Sequence, residues 1–205
     1  MLTQRYISKL ELSWAALQQH YHFAEPLKVF NKLIAAYSEP QRAYHTVQHL
    51  YECLTALDVV KTHLNDEHAV ALALWFHDAV YDPKASDNEL KSAEIFEHYV
   101  GQDLAAEVVK KIKQWIVATQ QHAQTDDTDL QFLLDIDLAI LAATPQRFAE
   151  YEQQIQQEYA WVEPEVYAIK RKQVLEHFYA TEPLYQTEYF QQHCEQRAKQ
   201  NLHHT

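Results

Sequence analysis

An all-α fold is what this sequence predicts, and three observations lead there. The chain has one glycine, Gly101, and six prolines in 205 residues, too few turn formers for tight hairpins and extended sheets. Apolar residues recur at helical spacing along nearly its whole length. Ser, Thr, Asp, Asn or Pro stands where those periodic runs begin. The length suits a single domain, 1–205, able to bury a sizeable core as a bundle of about nine to ten helices.

Taken in order, the first helix is expected over 3–22, capped by Thr3, with Tyr6, Leu10, Trp14 and Leu17 as its stripe. His20 and His22 fall at its end, where a cation suits the helix dipole. Pro26 opens a second helix with Leu27, Phe30, Leu33, Ile34 and Tyr37 on one face, broken by Ser38-Glu39-Pro40-Gln41. A third runs through Tyr44-His45-Thr46-Val47-Gln48-His49 to about residue 63, with Leu50, Leu54, Leu57 and Val60 inside. His45 and His49 are four apart, which on a helix puts them on one face.

Asn65 or Asp66 caps the fourth helix, a strongly apolar run ending in Trp75-Phe76-His77-Asp78 and stopped by Asp82-Pro83. Ser86 or Asp87 opens the fifth (Ala93, Ile95, Phe96, Tyr99), and Gly101 is its natural C-cap. The sixth, 102–119, carries Leu104, Val108, Ile112, Trp115 and Ile116, and the polar stretch 121–128 follows as a loop. Asp129 is expected to cap the seventh, which holds Asp135 and Asp137 within an apolar helix. Thr144-Pro145 and Pro164 open the next two, the latter with Tyr167, Ile169, Val174, Leu175 and Phe178 as its apolar set, and Thr187 caps the last. His203-His204 is too short a run to suggest a metal site.

The formal charge of −12 argues against a broad basic face for duplex nucleic acid. No apolar run approaches the roughly 20 residues needed to cross a bilayer, and the N-terminus opens into an amphipathic run unlike a signal peptide. Cys53 and Cys194 lack metal-site spacing and read as reduced thiols. A soluble cytoplasmic protein is expected; its oligomeric state is not legible in the sequence.

The polar residues at helix ends or within apolar faces are His45, His49, His77-Asp78, His122, Asp135 and Asp137. A buried carboxylate is costly unless something neutralises it, and a divalent ion would do so. Imidazoles and carboxylates from separate helices suit such an ion: Mn, Mg, Fe, Co, Ni or Zn. His49, His77, Asp78 and Asp137 would make a four-ligand site. Adjacent helical residues diverge by about 100°, so His77 and Asp78 share an ion only in a cleft between helices. Asp78 would then keep an oxygen for a second ion or for orienting water.

These residues, in this order, resemble the HD-domain superfamily of metal-dependent phosphohydrolases. Tyr44-His45-Thr46-Val47-Gln48-His49 is similar to an element of its cyclic-nucleotide phosphodiesterase branch, with Thr46 where that branch has Asn. Ala118-Thr119 and Asp137-Leu138-Ala139 are similar to two further elements of the branch. A group of small bacterial proteins identified as HD-superfamily phosphohydrolases is closer. That likeness rests on Arg42-Ala43-Tyr44-His45, Trp75 to Asp82, Asp87-Asn88-Glu89, Asp135 to Leu141, Glu158-Tyr159 and Arg197 to Leu202, and covers nearly the whole chain. The branch's long purine-binding elaborations are absent, so cyclic-nucleotide specificity does not carry over.

The resemblance implies a metal core at about 42–140 with the helices of 145–205 packed on it. It implies His49 and Asp137, in preference to Asp135, as ligands, and His45 as the proton donor. Around them, His122 is a candidate for a second metal or a phosphate. Asp82 and Glu89 are candidates for keeping His45 charged, and Asp135 for orienting a ligand histidine. Arg42, Lys84, Arg171 and Arg197 are candidate phosphate contacts. The expected activity is hydrolysis of a small phosphomonoester or phosphodiester, with a nucleotide among the candidates. The alternatives are a non-catalytic nucleotide- or metabolite-binding protein and a di-iron oxygenase of HD type.

Overall fold

The chain, described here from a computed structural model covering residues 2–203 with side chains from residue 6, is all-α. The side chain of Thr3, expected as a cap, and His204 lie outside the described residues. Among the described residues there are eleven α-helices: α1 Leu2–Tyr21, α2 Pro26–Ala36, α3 Val47–Val60, α4 Glu67–Phe76, α5 Asn88–Val100, α6 Ala106–Ala118, α7 Thr128–Asp137, α8 Pro145–Glu158, α9 Pro164–Ala180, α10 Glu188–His193 and α11 Glu195–His203. Short 3-10 turns cover Lys61–His63, Gly101–Asp103 and Leu138–Ala142, and among the described residues there is no strand.

The centre of the bundle is α4. From Ala69 to Phe76 every residue is buried, so the helix has no solvent face and must be surrounded. It packs against α1, α3, α5, α6 and α7. Each large side chain it buries contributes about 1.5–3 kcal/mol, and Leu74→Ala would cost about 2–5 kcal/mol. Asp66 caps its start by accepting from the Ala69 amide. Asp129, buried at the start of α7, accepts from the Asn65 and Asp66 amides. The fixed start leaves the other end, His77-Asp78, pointing into the middle of the molecule.

Several local expectations are corrected. Helix α3 begins at Val47, because Thr46 is extended and its hydroxyl accepts from the Gln48 amide. His45 therefore lies in the preceding loop and not on the face of α3. Asp127 caps α7, accepting from the amides of Asp129 and Leu130; Asp129 itself is used elsewhere. Gly101 stands at the C-cap of α5 with φ −62°, an ordinary right-handed conformation that leads into a 3-10 turn, so α6 starts only at Ala106. The last expected helix is split in two at Cys194, where the Glu195 carboxylate turns back to accept from the Leu184 and Tyr185 amides. Leu27 is 75% exposed, and on α9 Ile169 and Val174 face outward while Leu175 is buried. The rest of the two expected sets faces inward, with Leu33, Tyr37 and Leu175 buried and Phe30, Ile34, Tyr167 and Phe178 packed on the core, so helical spacing chose the right faces and included Leu27, Ile169 and Val174 wrongly.

The C-terminal helices are anchored on the core through polar contacts. The buried Asp135 carboxylate accepts from the Gln186 and Thr187 amides and from the Thr187 hydroxyl, at 2.7–2.8 Å. Asn201 donates to the carbonyls of Leu141 and Ala143. No described helix is long and apolar enough to cross a membrane.

Candidate metal centre

Three helix ends converge beneath the end of α4. His49 comes from the first turn of α3, His77 and Asp78 from the end of α4, and Asp137 from the last residue of α7. His49 Nε2 lies 3.1 Å from His77 Nε2, 3.4 Å from Asp78 Oδ2 and 3.2 Å from Asp137 Oδ1. His77 Nε2 lies 3.1 Å from Asp78 Oδ2 and 3.4 Å from Asp137 Oδ1. Donors about 2.1 Å from a common centre sit about 3.0 Å apart in an octahedron and about 3.4 Å apart in a tetrahedron. These five separations are short enough for donors around one small cation, although the group whose donor atoms all lie within 4.8 Å of one another is His49, Cys53, His77 and Asp137, without Asp78.

The tautomers agree with that reading. His77 donates Nδ1–H to the Leu74 carbonyl at 2.8 Å, which turns Nε2 toward the other donors; without an ion the acids keep a proton on that nitrogen, and an ion would displace it. Burial alone would lower the pKa of His77, but Asp78 and Asp137 outweigh it and raise it well above its ordinary value. Asp78 and Asp137 are held well below the usual carboxylate range: burial opposes this, and the neighbouring histidines overcome it. The site thus keeps two carboxylates charged in the interior. Such a group could hold a metal ion.

Cys53, one turn after His49 on α3, also belongs to the cluster: one donor atom each from His49, Cys53, His77 and Asp137 lie within 4.8 Å of one another. Its Sγ is 3.7 Å from both ring nitrogens of His49, so it rests against the ring and on neither N–H axis. The spacing of four between His49 and Cys53 was visible in the sequence; the cysteine count drew attention away from it.

His122 completes one side, its Nε2 2.9 Å from Asp137 Oδ2. Asp137 thus faces the two ligand histidines with one oxygen and His122 with the other. The backbone of His122 is left-handed, φ 51°, at a cost of about 1 kcal/mol for a residue with a side chain. This conformation follows α6 directly and precedes the loop to α7.

His45 stands at the rim. Its ring stacks on Tyr81 at 4.0 Å between centroids and is 6.0 Å from the His49 ring. The loop holding it is organised by Glu158, at the end of α8. One Glu158 oxygen accepts from the amides of Ala43, Tyr44 and His45 at 2.8–3.0 Å; the other accepts from His45 Nδ1 and the Tyr81 hydroxyl, both at 2.8 Å. Burial would raise Glu158, but His45 and the loop amides bring it down to about 2. His45 is raised above its ordinary value: burial opposes, and Asp78, Glu158 and Asp137 prevail. Glu158-Tyr159 counted among the motifs of the resemblance, but sequence reasoning assigned Glu158 no role at this position. It lies 113 residues from His45, and its place in a Gln- and Glu-rich helix carries no local signal.

The other expected site residues are placed elsewhere. Asp82 is exposed and its carboxylate accepts from the Lys84 amide, while Glu89 on α5 acts on the Tyr159 phenol; Glu158 is the acid paired with His45. Asp135 orients no ligand histidine, because its oxygens are taken by Gln186 and Thr187. Arg42 is buried and donates to Glu39 and to the carbonyls of His45, Asp78 and Ala79, tying the His45 loop to the end of α4. Lys84 sits over the Trp161 ring. Arg171 pairs with Glu152 and lies over Tyr151, and Arg197 is exposed on α11. None of these four cations stands among the converging donor atoms.

Comparisons of this chain with protein-family models, curated proteins and solved structures give no match.

Proposed function

We propose that this protein is a metal-dependent phosphohydrolase acting on a phosphoester, as the HD-type resemblance of its motifs implies. The observation that carries the reading is the approach of His49 and His77 to each other and to Asp78 and Asp137 at 3.1–3.4 Å, beside a histidine held by a buried carboxylate. When bound there, a divalent cation supplies Lewis acidity, which lowers the pKa of water and polarises a phosphoryl oxygen.

The rest of the chemistry is assigned to side chains of this chain. Glu158 takes the Nδ1–H of His45, so Nε2 is the nitrogen left to meet a ligand. The three acids that raise His45 favour its protonated form, which a proton donor needs. A water oxygen forms the new bond to phosphorus, and the ester P–O bond breaks with its electron pair on the leaving oxygen. The Nε2 proton of His45 completes the alcohol. One proton of the water stays on the phosphate and the other restores His45 through solvent.

A non-catalytic binding protein would need the ligand cluster but not the pairing of His45 with Glu158, so the hydrolase is the better account. The test is metal analysis beside a phosphoester screen on the wild type, His77→Ala and Asp137→Ala. Stoichiometric metal and turnover, both lost in the variants, support the reading. Metal without turnover on any monoester or diester would move the assignment to a binding protein. Protein that takes up no divalent ion would sink it.

A further inference from the structure

Beside the metal centre lies a cleft of about 270 Å³ between α3, the end of α7 and the start of α8. Two of its wall residues, His49 and Asp137, are candidate ligands, so the cleft adjoins the metal centre; His45 does not line it, but its ring lies 6.0 Å from that of His49, within the length of a small ester. Its flank is aliphatic: Ile136, Ala139, Ile140 and Ala143. Its far end is Glu52 and Arg147, whose charges are spent on each other. Arg147 Nε and Nη2 donate to the two Glu52 oxygens at 2.7 and 3.0 Å, and Nη1 donates to Gln154 with Glu150 beside it. The arginine is therefore neutralised, and two carboxylates surround it.

The nearby polar atom that remains unspent is neutral. Tyr44 is buried under the Arg147 guanidinium, and its hydroxyl has no hydrogen-bond partner among the described residues. The volume is just below that of drug-sized ligand pockets, about 300–1,000 Å³. A second phosphate or a carboxylate placed here would meet the like charges of Glu52 and Glu150, with Arg147 already paired.

We infer that this cleft receives the leaving group of the substrate, and that this group is compact, uncharged and largely apolar. The inference rests on the phosphohydrolase reading and names its substrate class: monoesters of small neutral alcohols or phenols, and not nucleoside polyphosphates or sugar bisphosphates. Its specificity-determining residues are Ala139, Ile140 and Ala143, which set the size, and the Glu52–Arg147 pair, which excludes negative charge.

The experiment uses two matched probes, phenyl phosphate and 4-carboxyphenyl phosphate, with the metal-loaded protein. Their non-hydrolysable phosphonates are titrated by calorimetry in parallel. The expected result is at least a tenfold preference for the uncharged member in kcat/KM and in affinity. Ala143→Leu and Ala139→Leu, each checked for folding by circular dichroism, should weaken phenylphosphonate binding several-fold without loss of bound metal. Glu52→Gln, which frees Arg147, should narrow or reverse the preference. Equal or better binding of the carboxylate probe by the wild type, or no phosphonate binding at all, would overturn the inference. Phosphonate discrimination without hydrolysis of either ester would leave the cleft assignment standing and remove the phosphohydrolase. Hydrolysis of both esters at equal rates would do the opposite.

Discussion

His45 donates its Nδ1–H to Glu158 across 113 residues of sequence, and the same carboxylate accepts from three consecutive loop amides. One buried side chain thus fixes both the backbone and the ring of the histidine at the rim of the metal centre. A carboxylate holding one imidazole nitrogen sets the tautomer and leaves the other nitrogen to do chemistry.

Glu158→Gln should therefore be felt in stability, and most at the acid end. The folded-state pKa of Glu158 is depressed to about 2 from an ordinary 4.5. Between those values the unfolded chain binds the extra proton, so this group stabilises the fold above about pH 4.5, and the contribution disappears as pH falls toward 2. The shift corresponds to about 3 kcal/mol. Denaturant unfolding at pH 7 and pH 3 should show a loss of that order for the variant at pH 7, and a shallower decline toward acid. Parallel pH curves for the two proteins would contradict the assignment.

His45→Ala separates catalysis from metal binding. His45 touches Glu158 and Tyr81, not the converging donor atoms, so metal content should be unchanged. Loss of a positioned general acid lowers turnover by about 100-fold or more. A drop in bound metal instead would make His45 a ligand. Activity with leaving groups of low pKa should suffer least, since these need no proton; a uniform loss across leaving groups would point to a structural role.

Asp135 is a hinge-pin of the C-terminal helices. Burial raises its pKa to about 6 against the opposing effect of Thr187 and the Gln186 amide. Asp135→Asn replaces one acceptor by a donor that faces the amides of Gln186 and Thr187, a mismatch worth about 1–3 kcal/mol. Hydrogen exchange should accelerate in α10 and α11, while the metal-centre helices α3 and α4 keep their protection. Uniform acceleration throughout would mean that the C-terminal helices do not open separately.

The sequence made the helices legible because apolar spacing and caps are local signals. Pro26, Asp66, Thr144, Pro164 and Thr187 all stand at the helix starts expected of them. The gathering of His49, His77, Asp78 and Asp137 was approachable for a different reason: polar residues among buried apolar ones need a partner. What stayed hidden was long-range or decided by competition. Nothing near Glu158 says that it will reach His45. The resemblance favours Asp137 over Asp135 as a ligand, but nothing local says that Asp135, two residues earlier on the same helix and facing other neighbours, is spent on Gln186 and Thr187. The loop position of His45 was lost because Thr46 wins as a cap over continuation of the helix.

Cys53 provides the last prediction, since it lies close enough to the centre to be taken for a ligand. Burial pushes its thiol well above the ordinary range, and Asp137, Asp78 and Glu52 push it further the same way. Asp78 and Asp137 already balance a divalent ion, so a bound thiolate would leave an excess negative charge in the interior. The sulfur also lies against the face of the His49 ring. Cys53 should remain a neutral packing group that steadies His49. The cobalt-substituted protein should show no sulfur-to-cobalt charge-transfer band, and Cys53→Ser should retain stoichiometric metal with a modest loss of stability. A charge-transfer band that disappears in the serine variant would place the sulfur on the ion, and the donor set would then be His49, Cys53, His77 and Asp137 with Asp78 left to bind water.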